Sequence, residues 1–142
     1  IALETHVHPG FMTDWQPPFV LLLTQANGMS VVHETVFESR FGYVDELIKM
    51  GADIALYDTC LGGRKCRFRF SNYRHSCVIK GPVQLHGAEI TVPDLRAGFT
   101  YLIAAILARG CSTIDGIEHI ERGYEDLEGM LRSLGAQIRT AA

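Results

Sequence analysis

Five charged side chains stand where chemistry could be done: Asp14, Arg40, Asp94, Arg96 and Arg122. A guanidinium is a flat fork of donors that matches phosphate and carboxylate, so arginines held together point to an anionic ligand. Arg96 lies two residues after Asp94, at the head of a long apolar segment. A cation in the first turn of a helix opposes the positive end of the dipole and costs stability. Beside free first-turn amides it builds an anion site, which is a functional reason to keep it. Arg40 and Arg122 each follow a short β-rich stretch and a loop. They could instead pair locally with Glu38 and Glu121. Asp14 and Asp94 each begin an apolar segment. Either could be a plain helix N-cap or a carboxylate that takes a proton from a substrate hydroxyl, and the sequence alone leaves both readings open.

The thiols and imidazoles say less. Cys60, Cys66, Cys77 and Cys111 form no CxxC pair and no zinc-ribbon spacing, so free thiols are expected. A cluster of Cys60, Cys66, Cys77 and His75, or a local disulfide, is a weaker reading. His6 and His8 share a face of an extended stretch but lack a third ligand, while His33, His75, His86 and His119 read as surface or loop residues. No metal centre and no cofactor is expected, and no GxGxxG follows a strand.

These residues are carried by a repeat. Asp14 matches Asp94, Gly28 matches Gly110, Arg40 matches Arg122, and "LIKMGADI" matches "LRSLGAQI", at offsets of 80 to 84 residues. Repeats of this kind mean one supersecondary unit used twice. Each unit reads as an extended stretch (2–6, 88–92), an apolar helix (14–27, 94–109), a strand (29–35, 111–117), an amphipathic helix (44–50, 124–134) and a closing strand (53–57, 136–140). The first unit adds a strand at about 77–80. Pro17 and Pro18 fit only a first helical turn. Gly28 and Gly110 are expected as left-handed C-caps, and Gly51 and Gly135 as stops. Helices apolar nearly all round are buried on all sides. The fold class is α/β or α+β, with unit 1 over about 1–86 and unit 2 over about 87–142.

Residues 58–76 interrupt the pattern with five basic residues among Phe68, Phe70 and Tyr73. A hairpin turning at Gly62-Gly63, or a loop, is expected there. The net charge of −3 argues against nucleic acid or an anionic membrane as a partner. No apolar run approaches the ~20 residues that span a bilayer. The chain begins at Ile1 without a signal-peptide pattern, so a cytoplasmic protein lacking its true start is expected.

The segments "HPGFMTDWQPPF", "ETVFESRF", "VDELIKMGADI", "PDLRAGF" and "IERGYEDLEGMLRSLGAQI" resemble the C-terminal region of UDP-N-acetylglucosamine 1-carboxyvinyltransferases, in order and over nearly the whole chain except about 57–73. The resemblance implies part of an inside-out α/β barrel lobe, with buried helices aiming their N-termini at a cleft between two lobes. It implies transfer of the enolpyruvyl group of phosphoenolpyruvate to the 3′-hydroxyl of UDP-N-acetylglucosamine, at the start of peptidoglycan synthesis. Asp14 would face the sugar hydroxyl as base, and Val36 and Phe37 would line the sugar-nucleotide site. Arg40, Arg96 and Arg122 would hold phosphoenolpyruvate, and Asp94 would order the arginines. Met12, Ser39, Pro93 and Glu121 depart from the family's usual Pro, Asn, Thr and Asp. The family's reactive cysteine belongs to the other, N-terminal lobe, and no cysteine here lies in its motif, so the chain alone is expected to be inactive. Shikimate 3-phosphate enolpyruvyl transferases share the fold but usually carry Glu where Phe37 stands. A non-catalytic domain that binds a sugar nucleotide, or self-associates through exposed edges, is the alternative of another class.

Overall fold

The computed structural model describes residues 1–139. The chain is mixed α/β. It runs β1 (Ala2–Glu4), a 3-10 turn (Thr13–Trp15), α1 (Gln16–Gln25), β2 (Gly28–His33), a second 3-10 turn (Arg40–Tyr43), α2 (Val44–Lys49), β3 (Asp53–Tyr57) and β4 (Ser76–Gly81). It continues with β5 (Glu89–Thr91), α3 (Leu95–Leu107), β6 (Thr113–Asp115), α4 (Glu118–Glu121) and α5 (Leu127–Ser133). One sheet has the order β1-β2-β4-β3, with β1 parallel to β2 and both other pairings antiparallel. A second sheet pairs β5 with β6 in parallel. The same strand–helix–parallel strand arrangement therefore occurs twice, and no closed barrel forms among the described residues.

The near-copied phrases end their helices in the same way. Gly51 follows α2 at φ 97°, with Ala52 N donating to Leu47 O and Gly51 N to Ile48 O, both at 2.9 Å. After α5, Gly135 at φ 94° repeats the pattern through Ala136 N to Leu131 O and Gly135 N to Arg132 O. These paired bonds are the Schellman closure, which needs a left-handed residue and so selects glycine. The apolar helices end differently from the expectation. The caps of α1 and α3 are Ala26 and Ala108 in extended conformation, and Gly28 and Gly110 lie two residues further on.

α1 packs on β4 and on α3 around a continuous core that includes Val20, Leu23, Leu47, Ile79, Ile90, Tyr101 and Ala104. Burial on all sides does not hold for either apolar helix. Leu22 of α1 and Ile106 and Leu107 of α3 are exposed. The helix expected over 124–134 forms over the shorter range of α5, and a further short helix that was not expected, α4, precedes it. The closing strand expected at 136–140 is absent over 136–139, and Thr140 lies outside the described residues. The reason is pairing: β3 has β4 beside it, whereas no strand among the described residues offers a ladder to the second segment. The Arg132 guanidinium donates to Ile138 O there instead.

No strand occurs over 58–75, so of the expected hairpin or loop the segment is a loop. The segment folds back on β1. Glu4 accepts from Gly63 N at 3.1 Å and Arg64 N at 3.0 Å, and its carboxylate also meets His33 Nδ1 at 3.0 Å. Burial opposes ionisation of Glu4, but the Arg64 amide, His33 and the Gly63 amide outweigh it and hold its pKa below the ordinary value. A Cβ at Gly62 would collide with Glu4 and the His33 ring, so only glycine fits. Cys77 is buried in the core rather than grouped with Cys60, Cys66 and His75. His33 and His75, expected at the surface, are fully buried. No helix is long and apolar enough to cross a membrane among the described residues.

Candidate active site

The two apolar helices begin at one cleft, lined by Pro17 of α1, by Asp94, Arg96 and Ala97 at the head of α3, and by Phe37, Ser39, Arg40 and Tyr43. Asp94 is the N-cap of α3, accepting from Arg96 N at 2.7 Å and Ala97 N at 2.9 Å. This carboxylate satisfies the orphan amides of its own helix, and so fixes the turn that carries Arg96.

Its repeat mate behaves differently. Asp14 sits inside a 3-10 turn whose N-cap, Met12, makes no side-chain cap. Freed from capping, its Oδ1 meets Arg40 Nη2 at 2.9 Å and Arg96 Nε at 3.6 Å. Both contacts fall on the same oxygen, Oδ1, of a carboxylate that is 66% exposed and stands beside the cleft-lining arginines rather than in the lining itself. The N-cap reading therefore holds for Asp94 and fails for Asp14.

Arg40 is buried, with Nη2 also donating to Thr13 O at 3.4 Å and Nε left without a hydrogen-bond partner. An unsatisfied buried donor costs free energy that an incoming anion would recover. The Phe37 ring lies against both guanidiniums, 5.6 Å from Arg40 and 5.3 Å from Arg96, which sets their planes by cation–π attraction. Glu38 does not pair with Arg40; it turns to Arg67 of the 58–75 segment at 3.8 Å. Arg122 does not line this cleft. It is exposed at the end of α4, one residue before Gly123, which packs on Leu95 at the head of α3.

Glu34 was not singled out by sequence reasoning, and it organises the site. Fully buried, its Oε1 accepts from Val36 N at 2.8 Å and Phe37 N at 2.9 Å. Its Oε2 accepts from Thr13 Oγ1 at 2.9 Å and Gln16 Nε2 at 3.2 Å. One carboxylate thus ties the Phe37 loop to the turn holding Asp14. Behind it, Tyr43 donates to Gln16 Oε1 at 2.9 Å, and burial raises the Tyr43 pKa well above its ordinary value, so the hydroxyl stays a donor. The only early signal was position: Glu34 opens the "ETVFESRF" segment.

Ser39 enters the same loop in the left-handed region, at φ 50° and ψ 33°. Serine tolerates this poorly and asparagine better. Ser39→Asn is expected to raise the melting temperature by about 1–3 °C, since Ser39 is exposed and little packing changes. A lower melting temperature in a thermal melt would contradict this account of the loop.

Helix heads, two convergent guanidiniums and an exposed carboxylate bound to both define the class: an α/β protein whose cleft has the donors and charge suited to an anion. The sequence profile described as EPSP synthase (3-phosphoshikimate 1-carboxyvinyltransferase) matches residues 1–139. The chain belongs to that enolpyruvyl transferase family. It is 60% identical over 138 residues to a UDP-N-acetylglucosamine 1-carboxyvinyltransferase of Protochlamydia amoebophila, covering 97% of this chain and 30% of that protein. To the enzyme of the same description from Chlamydia trachomatis serovar D it is 50% identical, with coverages of 97% and 31%. The crystal structure of the enolpyruvyl transferase NikO from Streptomyces tendae superposes with a TM-score of 0.80 at 31% identity, over 97% of this chain and 28% of that one. The chain thus spans about a third of the length of these relatives.

Proposed function

We propose that this chain is the part of a UDP-N-acetylglucosamine 1-carboxyvinyltransferase that supplies the acceptor-side base and half of the anion clamp. The observation that carries this reading is Asp14, held on Oδ1 by Arg40 and Arg96, two arginines that line the cleft, while its side chain stays 66% exposed. A base anchored in this way can accept the hydrogen of the sugar 3′-hydroxyl as its oxygen attacks C2 of phosphoenolpyruvate. The guanidiniums and the head of α3 would stabilise the phosphate and carboxylate of the tetrahedral adduct, and then the departing phosphate. Phe37 and the backbone at Val36 would border the sugar nucleotide. Arg122 would act from the α4 side once the cleft is complete. Asp94 is a positioning residue that acts through Arg96.

A proton donor for the vinyl carbon and the opposite wall of the cleft would come from an N-terminal lobe, consistent with relatives about three times as long. The same missing mass, rather than a second copy, would cover Leu22, Ile106 and Leu107. A cytoplasmic place in peptidoglycan synthesis goes with this reaction.

The deciding assay is phosphate release by the full-length enzyme with phosphoenolpyruvate and either UDP-N-acetylglucosamine or shikimate 3-phosphate. Release with the sugar nucleotide alone is expected, and release only with shikimate 3-phosphate would transfer the chain to the sister reaction. Arg96→Ala is expected to weaken phosphoenolpyruvate binding about tenfold, typical of one exposed charge-assisted contact. Its melting temperature should barely move, because the Arg96 side chain is 54% exposed. Unchanged binding with a large loss of stability would make Arg96 a structural residue.

A further inference from the structure

The 58–75 segment has no regular secondary structure and one fully buried large apolar side chain, Phe68, to order it. Four metal-ligating residues meet beneath it. One ligand atom each from His33, Cys60, Cys66 and His75 lies within 4.8 Å of all the others. We propose that these four residues bind one divalent ion of the zinc class, in a closed tetrahedral site that anchors the segment to the sheet.

Both imidazoles are set for this role. His33 Nδ1 is engaged by Glu4 at 3.0 Å, and His75 Nδ1 by Tyr73 O at 2.7 Å. Each ring therefore carries its hydrogen on Nδ1 and keeps the Nε2 lone pair for a ligand, and the carboxylate behind His33 fixes the ring's orientation, as carboxylates behind metal-binding imidazoles do. His33 Nε2 is buried and has no hydrogen-bond partner. His75 Nε2 is already 3.3 Å from Cys60 Sγ, and Cys66 Sγ lies within 4.8 Å of both. Zinc–sulfur and zinc–nitrogen bonds of ~2.3 and ~2.0 Å place tetrahedral ligands roughly 3.3–3.8 Å apart, so the widest separation closes by about 1 Å. Two neutral imidazoles and two thiolates favour this ion over calcium or magnesium, which take oxygen donors. Binding would release the two thiol protons to solvent. Four protein ligands leave no open position, so the site is structural rather than catalytic.

The site also touches the cleft. Arg67, next to Cys66, donates to Val36 O at 2.6 Å and lies over Phe68, which packs on His75. The ion would therefore steady the loop that carries Phe37.

The test is cobalt(II) titration of the purified, reduced, chelator-stripped chain, followed by visible absorption. One equivalent should give tetrahedral ligand-field bands and thiolate-to-cobalt charge transfer, and zinc should displace it. Cys60→Ser and Cys66→Ser should abolish the charge transfer, whereas Cys111→Ser should leave it unchanged. If the serine variants misfold, alkylation of the unaltered chain decides: zinc should protect Cys60 and Cys66 while Cys111 still reacts. Absence of cobalt bands, equal alkylation with and without zinc, or a Cys60–Cys66 disulfide in the folded chain would overturn the proposal.

Discussion

Asp14→Asn in the full-length transferase is expected to lower kcat by about 10²–10⁴-fold, the usual contribution of a positioned general base. KM for either substrate should shift by about threefold or less. Asparagine retains an oxygen to accept from Arg40, so the guanidinium pair stays in place. What it loses is the ability to take a proton, since an amide presents hydrogens to the sugar hydroxyl. The charge lost is largely exposed, so stability should hardly change. Asp94→Asn is the matched control. Asparagine caps helices as well as aspartate does, so Arg96 N and Ala97 N keep their acceptor and kcat should fall far less. Steady-state phosphate release for the two variants decides the matter. Equal losses would return Asp14 to a positioning role, and a KM-dominated loss would mean that it binds rather than reacts.

Glu34→Ala should cost about 3–5 kcal/mol, the range for stripping one partner from a buried charged network. Two backbone amides, a threonine hydroxyl and a glutamine amide would lose their acceptor at once, in a site too buried for each to find water easily. At roughly 2–4 °C per kcal/mol this lowers the melting temperature by about 6–20 °C. Glu34→Gln should lose less, because its oxygen can keep the Val36 and Phe37 amides. Its amide group would then face the Gln16 donor, whose own oxygen is committed to Tyr43. Calorimetric melts of both variants read the difference. A Glu34→Ala protein that melts within about 2 °C of the parent would show that the loop is held by something else.

Much of this site was legible because it is written in short-range patterns. Arg96 two residues after Asp94, ahead of an apolar run, marks the head of a helix whatever surrounds it. The copied glycine phrases close two helices with the same pair of hydrogen bonds, since that closure involves only six consecutive residues. The resemblance puts Arg40, Arg96 and Arg122 on one anion; α1 packed on α3 brings Arg40 and Arg96 to Asp14, whereas Arg122 stays outside the cleft lining.

The errors lie where distant segments meet. Asp14 and Asp94 look alike in sequence, yet one caps a helix and the other holds two arginines, because Arg40 reaches the first from 26 residues away. The closing strand failed in the second unit because a strand needs a neighbour that the described residues provide only once. His33 and His75 read as surface residues until β2 and β4 paired, placing His33 opposite Ser76 and so beside His75. Cys60 and Cys66 then join them through a loop folded over Glu4, 59 residues from Gly63.

By itself the sequence determined the α/β class, the repeated helix-and-strand unit and the heads of the two helices that open on the cleft. Each depends on periodicity, capping and turns, which act over one or two helical turns of chain. Only the tertiary structure decided which carboxylate meets the two arginines and which caps its helix, that Glu34 joins the loop to the turn, and that two histidines and two cysteines come within 4.8 Å of one another. Those are contacts between residues far apart in the chain, and their energies depend on burial and hydrogen-bond geometry that no local spacing encodes.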